Sequence, residues 1–221
     1  MNDFFKDMPD VAFVTGIGTD VGKSYATGWI ARELMKNHPE SKIITQKLIQ
    51  TGNKDFSEDI EVHRKIMGTG FFSRDLDHTT APLILSYPAS PELAARLDNV
   101  TVDYSVASKS TNKLKEEFDY VLIEGAGGLM VPLLHRYLTL DYVIDNNLPV
   151  IIVTNGQLGS INHTLLTLEV LANRGVKIYG VVYNPYFDKD KIISEDTVKY
   201  LREWIKEKLP ETYFILMPEK L

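Results

Sequence analysis

Short, nearly unbroken apolar runs alternate along the chain with segments whose apolar residues recur every three or four positions. Residues 11–14 (VAFV) predict a buried strand, and Trp29, Ile30 and Leu34 set the face of a helix over residues 22–36. Residues 42–47 (KIITQK) predict a second strand and residues 57–67 an acidic-ended helix. A strand-like APLIL run follows at 81–85, then a short helix opened by Pro91, then a polar, exposed helix over 103–118. The strongest runs are residues 120–124 (YVLIE), 149–154 (PVIIVT) and 177–183 (KIYGVVY). Such continuous runs suit parallel strands buried on both faces. Helices are expected between them, near 139–146 and 162–174, and a last helix over 194–209 precedes a strand at 213–216.

Repeated strand–helix alternation predicts an α/β fold: a doubly wound, mostly parallel sheet. No repeat, low-complexity stretch or linker divides the 221 residues, so the expectation is a single domain over 1–221.

Composition narrows the function classes. Hydrophobic residues make up 44% and charged residues 24%, as in ordinary globular chains. There is no cysteine, which excludes a disulfide framework, a thiolate metal site and a cysteine nucleophile. The net charge of −6 comes without a long basic run, so no nucleic-acid partner is expected. No apolar run is long enough to span a bilayer, and residues 1–10 carry three aspartates and no apolar core, unlike a signal peptide. The expectation is a cytoplasmic chain with no membrane partner.

The segment Gly16-Ile-Gly-Thr-Asp-Val-Gly22-Lys23-Ser24 follows the first strand and opens a helix, the context of a phosphate loop. Loop amides and a helix N-terminus favour anionic oxygens. Lys23 would reach the β- and γ-phosphates of ATP, and the Ser24 hydroxyl would ligate Mg²⁺. Five residues separate Gly16 from Gly22 where the common pattern has four. Glu124 closes a buried strand just before Gly125-Ala126-Gly127-Gly128, at a carboxyl end where open α/β sheets bind ligands. It is a candidate for metal or nucleotide. By residue type alone, Asp59 reads as a helix-dipole partner and Lys47 as an exposed strand-end lysine. The turn over 158–163 can offer free amides to an anion or be an ordinary helix start capped by Ser160 or Asn162.

Five motifs in order resemble the dethiobiotin synthetases, a family of P-loop type: FVTG…TDVGKS with its five-residue spacing, QKLIQTG at 46–52, ASPELAA at 89–95, VLIEGAGGLMVPL at 121–133 and LGSINH at 158–163. The resemblance implies a P-loop NTPase fold and assigns roles position by position. Thr19, Lys23 and Lys47 would be catalytic. Ser24, Asp59 and Glu124 would hold Mg²⁺. The nucleotide would be lined by Asp20, Val21, Gly22, Lys23, Ser24, Tyr25, Asp59, Glu124, Gly125, Ala126, Gly127, Asn184, Pro185 and Pro218, with Asn184 reading adenine. Thr51 would contact substrate, and Gly159, Ser160, Ile161 and Asn162 would hold its carboxylate tail from the neighbouring subunit of a homodimer. Leu48 replaces the family's proline after the lysine, Glu92 its histidine after Ser-Pro, and Asp20 a common glutamate.

The implied reaction closes a ureido ring on 7,8-diaminononanoate (7,8-diaminopelargonate) with CO2 and ATP, in biotin biosynthesis. Amidating ligases of the wider group commonly carry a cysteine-dependent glutamine-hydrolysing domain, absent from a short chain without cysteine. Partition and division-site switches carry an extra lysine early in the loop, where this chain has Gly18. No N-K-x-D guanine reader follows a late strand.

Overall fold

In a computed structural model, which describes residues 2–220, six strands form one sheet. They are β1 (Val11–Gly16), β2 (Ile43–Lys47), β3 (Tyr120–Glu124), β4 (Val150–Asn155), β5 (Ile178–Asn184) and β6 (Tyr213–Leu216). Their spatial order is β6-β5-β4-β1-β3-β2, and every neighbouring pair is parallel. Four of the six read as near-continuous apolar runs because each face is covered. On one face, Ala12, Val14, Leu122, Ile151 and Val153 pack beneath α1 (Lys23–Asn37) and its neighbour α2 (Glu58–Met67). On the other, Phe13, Val121, Ile123 and Ile152 meet Leu168 and Leu171 of α3 (Ser160–Asn173) and Ile205 of α4 (Lys191–Lys208).

From β1 the chain steps out to β2, returns to β3 beside β1, then crosses to β4 on the far side. The carboxyl end of β1 therefore lies where the winding reverses, the position in which open α/β sheets hold ligands.

Several elements depart from the sequence reading. The APLIL run is not a sheet strand: only Ile84–Leu85 is extended, paired with Gln50–Thr51 in a separate two-stranded ladder. Pro82 has no N–H to give a ladder, and the carbonyls of Thr80 and Leu83 are taken by the amides of Lys47 and Gln50. α4 begins at Lys191, three residues early, because the Asp190 carboxylate accepts from the amides of Ile192 and Ile193. α3 begins at Ser160, two residues early, behind Gly159 in the left-handed region (φ 92°). Neither Ser160 nor Asn162 caps it. The polar helix spans Ser105–Lys115. Not anticipated were the short helices Asn2–Lys6 and Ser73–Leu76, the 3₁₀ turn Pro185–Phe187 and the antiparallel pair Pro132–Leu134 with Tyr137–Leu138.

Candidate active site

The register of the sheet builds the centre of the site. Lys47 at the end of β2 lies opposite Glu124 at the end of β3, and Glu124 lies opposite Val14 of β1. Register partners in parallel strands point to one face, so the Lys47 ammonium and the Glu124 carboxylate share a side. Lys47 Nζ donates to Glu124 Oε1 at 2.8 Å, to the Gly125 carbonyl at 3.1 Å, and lies 2.5 Å from Asp59 Oδ2. Ser24, in the first turn of α1, donates its single hydroxyl proton toward Asp59 Oδ1 at 2.7 Å and Glu124 Oε1 at 3.0 Å. Asp59 comes from the first turn of α2, so three separate elements deliver one oxygen cluster.

Electrostatics hold this cluster charged. Burial opposes the Glu124 carboxylate, but Lys47 and then the His63 contact outweigh it, and its pKa lies well below the usual range. Burial also opposes the Lys47 ammonium, yet Glu124 and Asp59 together raise its pKa. Lys23 differs: burial dominates and lowers its pKa, with Glu124 pulling the other way and Lys47 adding to the drop.

The phosphate loop is shaped by two left-handed residues, Asp20 (φ 56°) and Gly22 (φ 87°). A Cβ on Gly22 would lie 2.2 Å from the Asn184 amide nitrogen, so only glycine lets Asn184 approach. That nitrogen donates to the Val21 carbonyl at 3.0 Å, tying the end of β5 to the loop. α1 opens behind Gly22 with no side-chain cap, leaving its first amides free for an anion. Lys23 Nζ reaches back to the Gly18 carbonyl at 3.0 Å.

A cleft of about 940 Å³ runs across these carboxyl ends. Of the residues expected from sequence, Thr19, Asp20, Gly22, Lys23, Ser24, Tyr25, Lys47, Thr51, Asp59, Glu124, Ala126, Gly127 and Asn184 line it. Val21 and Gly125 support it with the carbonyls just described. Pro185 begins a single 3₁₀ turn over Pro185–Phe187. Pro218 is flanked by two lining residues, Met217 and Glu219. Gly159, Ser160, Ile161 and Asn162 do not line this cleft, and Leu158 beside them is 86% exposed. The Ser160 hydroxyl is buried without a hydrogen-bond partner among the described residues. Leu48 is buried in the core, and its N–H, which a proline would lack, donates to the Glu124 carbonyl at 2.8 Å.

Sequence reasoning missed Phe187, Met217 and Gln50 as lining residues, and it missed His63, whose Nε2 lies 2.7 Å from Glu124 Oε2. The signal was present: His63 stands four positions after Asp59, on the same helix face.

The oxygens of Ser24, Asp59 and Glu124 fit a divalent cation. They are hard donors, and Ser24 has one proton for two carboxylate oxygens within 3.0 Å. The two lysines and two carboxylates formally cancel, so a triphosphate would meet no net positive charge from these side chains. No cluster of three or more His, Asp or Glu that could hold a metal occurs among the described residues. The remaining positions would fall to water and phosphate, as is usual for magnesium.

A family model described as an AAA domain matches residues 10–209. The ATP-dependent dethiobiotin synthetase BioD 2 of Pasteurella multocida is 46% identical over 95% of this chain and 98% of its own length. The enzyme of the same name from Haemophilus influenzae is 48% identical over 84% of this chain and 96% of its length. Among solved structures, the MinC:MinD cell division protein complex of Aquifex aeolicus aligns with a TM-score of 0.56 at 17% identity, over 96% of this chain and 82% of that one. A plasmid partition protein from Borrelia burgdorferi aligns with a TM-score of 0.55 at 18% identity, over 96% and 90%. These two likenesses concern the fold alone.

Proposed function

The chain belongs to the ATP-dependent dethiobiotin synthetase family, and on that footing we propose that it closes the ureido ring of dethiobiotin on 7,8-diaminononanoate, with CO2 and ATP, as a ligase of biotin biosynthesis acting in the cytoplasm. Residues 1–221 act as one P-loop ATPase-like domain and work as a homodimer. A substrate amine takes up CO2 as a carbamate. The carbamate oxygen attacks the γ-phosphate and ADP leaves. The second amine then attacks the carbonyl of the mixed anhydride and expels phosphate.

No protein nucleophile is needed, so this chain's part is positioning and charge stabilisation. The free amides of the loop and Lys23 bind the β- and γ-phosphates. Thr19 lies beside the transferred group. Lys47 directs its ammonium at the charge that develops between carbamate and phosphoryl, and Thr51 holds the diamine head. Asn184 reads the base, with Pro185 and Pro218 beside it. Ser24, Asp59 and Glu124 would hold Mg²⁺, which supplies charge neutralisation at the phosphates when bound. The tail carboxylate is held by Gly159 to Asn162 of the other subunit, which explains why this turn stands apart from its own cleft.

The observation that carries the reading is the convergence of Lys23, Lys47, Ser24, Asp59 and Glu124 at one carboxyl edge. The test is phosphate release from ATP and bicarbonate, with and without 7,8-diaminononanoate. Release that depends on the diamine, with one dethiobiotin per phosphate, is the expected result. Release indifferent to the diamine would favour the alternative, a nucleotide switch of the partition or division-site type.

A further inference from the structure

His63 takes no part in the reaction above, yet it is fully buried in the cluster that performs it. It projects from α2 one turn after Asp59. Its Nε2 lies 2.7 Å from Glu124 Oε2 and its Nδ1 lies 2.9 Å from Thr45 Oγ1. Thr45 Oγ1 is also the acceptor of a 2.8 Å bond from Arg64 Nη1. Arg64 is clamped in turn by both oxygens of Asp75, at 2.8 and 2.7 Å.

The Glu124 end fixes one ring nitrogen: an ionised carboxylate only accepts, so Nε2 carries the hydrogen that faces Glu124. At the other end a guanidinium only donates, so the Thr45 hydroxyl accepts from Arg64, and the same oxygen contacts Nδ1 and so holds the ring in place. Glu124 Oε2 has no other hydrogen-bond partner among the described residues, while Oε1 faces Ser24 and Lys47. The two oxygens of one carboxylate are thus given separate tasks.

We propose that His63 is a positioning residue, which binds one oxygen of Glu124 and so presents the other to the divalent cation, with Thr45, itself bonded by Arg64, holding the ring's orientation. This rests on the metal reading given above. A buried carboxylate freed at Oε2 would turn toward Lys47 and lose its aim. Groups that orient a metal ligand in this way are commonly worth about 10–100-fold in metal affinity.

The test is Mn²⁺ binding followed by electron paramagnetic resonance in the presence of ADP, with folding checked by circular dichroism. His63→Leu fills the same space without a donor and is expected to weaken Mn²⁺ binding about 10–100-fold. His63→Gln restores an N–H at similar reach and is expected to recover most of that loss. Equal weakening in both variants would make His63 a packing residue and overturn the proposal, as would native Mn²⁺ affinity in His63→Leu. If His63→Leu does not fold, Thr45→Val decides: it leaves the imidazole and removes the hydroxyl that orients it. A loss of several-fold in Mn²⁺ affinity supports the proposal, and native affinity overturns it. Glu124→Gln separates the two readings. If it binds Mn²⁺ as the native chain does, the metal reading itself fails and this inference with it.

Discussion

The two halves of the sheet's carboxyl edge are buried alike and carry opposite chemistry. Where β1, β2 and β3 end, the buried side chains include ionisable ones: Lys47, Glu124 and, from the adjoining helices, Lys23 and His63. Where β4 and β5 end, they are neutral: Thr154, Asn155, Tyr183 and Asn184. Burial is nearly equal, 1% exposure for Glu124 and 2% for Asn184. A buried charge persists only with a counter-charge at hand. The charged side meets that condition within itself through the contacts of Lys47 with Glu124 and Asp59. On the neutral side Asp188, held by the Tyr183 hydroxyl at 2.8 Å, shows the other outcome: burial pushes its pKa above the ordinary carboxylate value. On the proposed reading, the difference would match the two ends of a nucleotide. Phosphates call for fixed charge, and an uncharged base calls for directional dipoles such as the Asn184 amide.

The sharpest way to break this contrast is to remove one charge from the charged side. Lys47→Ala should cut turnover by about 10²–10³, the cost of one lost transition-state charge partner. Nucleotide affinity, measured by titration calorimetry with ADP, should fall much less, because Lys23 and the loop amides remain. Normal turnover in Lys47→Ala would return this residue to the status of a strand-end lysine. An affinity loss as large as the turnover loss would mean that Lys47 binds ATP uniformly rather than its transition state.

The two sides were not equally readable in the sequence. The strands and phosphate loop were legible because continuous apolar runs, a glycine-rich turn and a following helix are local signals. Lys47 and Asp59 were not legible as chemistry. By type they are a strand-end lysine and a helix-start acid, and only the β2–β3 register and the docking of α2 bring them together. Motif resemblance proposed roles for them that residue types could not suggest. His63 escaped both routes: its four-residue spacing from Asp59 was the one local cue, and its partners Thr45 and Glu124 are distant in sequence. The APLIL run failed for a different reason: apolar content was read as a strand, although Pro82 cannot donate to a ladder. On the neutral side Asn184 was placed by resemblance, and the tie between it and Val21 became visible only in the fold.

A second variant probes the neutral side. Asn184 has its amide committed on both ends, Nδ2 to the Val21 carbonyl and Oδ1 to the Tyr186 amide. If Asn184 reads the base as proposed, Asn184→Ala removes that contact and also loosens the loop. A hydrogen bond or two is worth about 0.5–1.5 kcal/mol each, so the KM for ATP should rise on the order of tenfold. Turnover at saturating ATP should stay within a few-fold, since no charge is lost. Discrimination between ATP and GTP should narrow. A collapse of turnover with unchanged KM would erase the distinction between the two sides.

The smallest expected effect concerns a third region, the turn from Gly159 to Asn162, which belongs to neither side of its own cleft. Here α3 opens without a side-chain cap, and the Ser160 hydroxyl lies buried without a partner among the described residues. Free amides and an idle hydroxyl suit a carboxylate, but this chain's own cleft does not reach them. If the tail of the diamine is held there by the second subunit, each site draws Lys47 from one chain and Asn162 from the other. Asn162→Ala should then be impaired alone, chiefly as a raised KM for the diamine. Mixing Asn162→Ala with Lys47→Ala chains in equal amounts gives half heterodimers, each with one site that keeps both native residues. Ring-closing activity should return to roughly a quarter of the native value, as random pairing in a two-fold dimer dictates. Were each site confined to one chain, both sites of the heterodimer would stay damaged and mixing would restore nothing. Full activity in Asn162→Ala alone would remove this asparagine from the tail site.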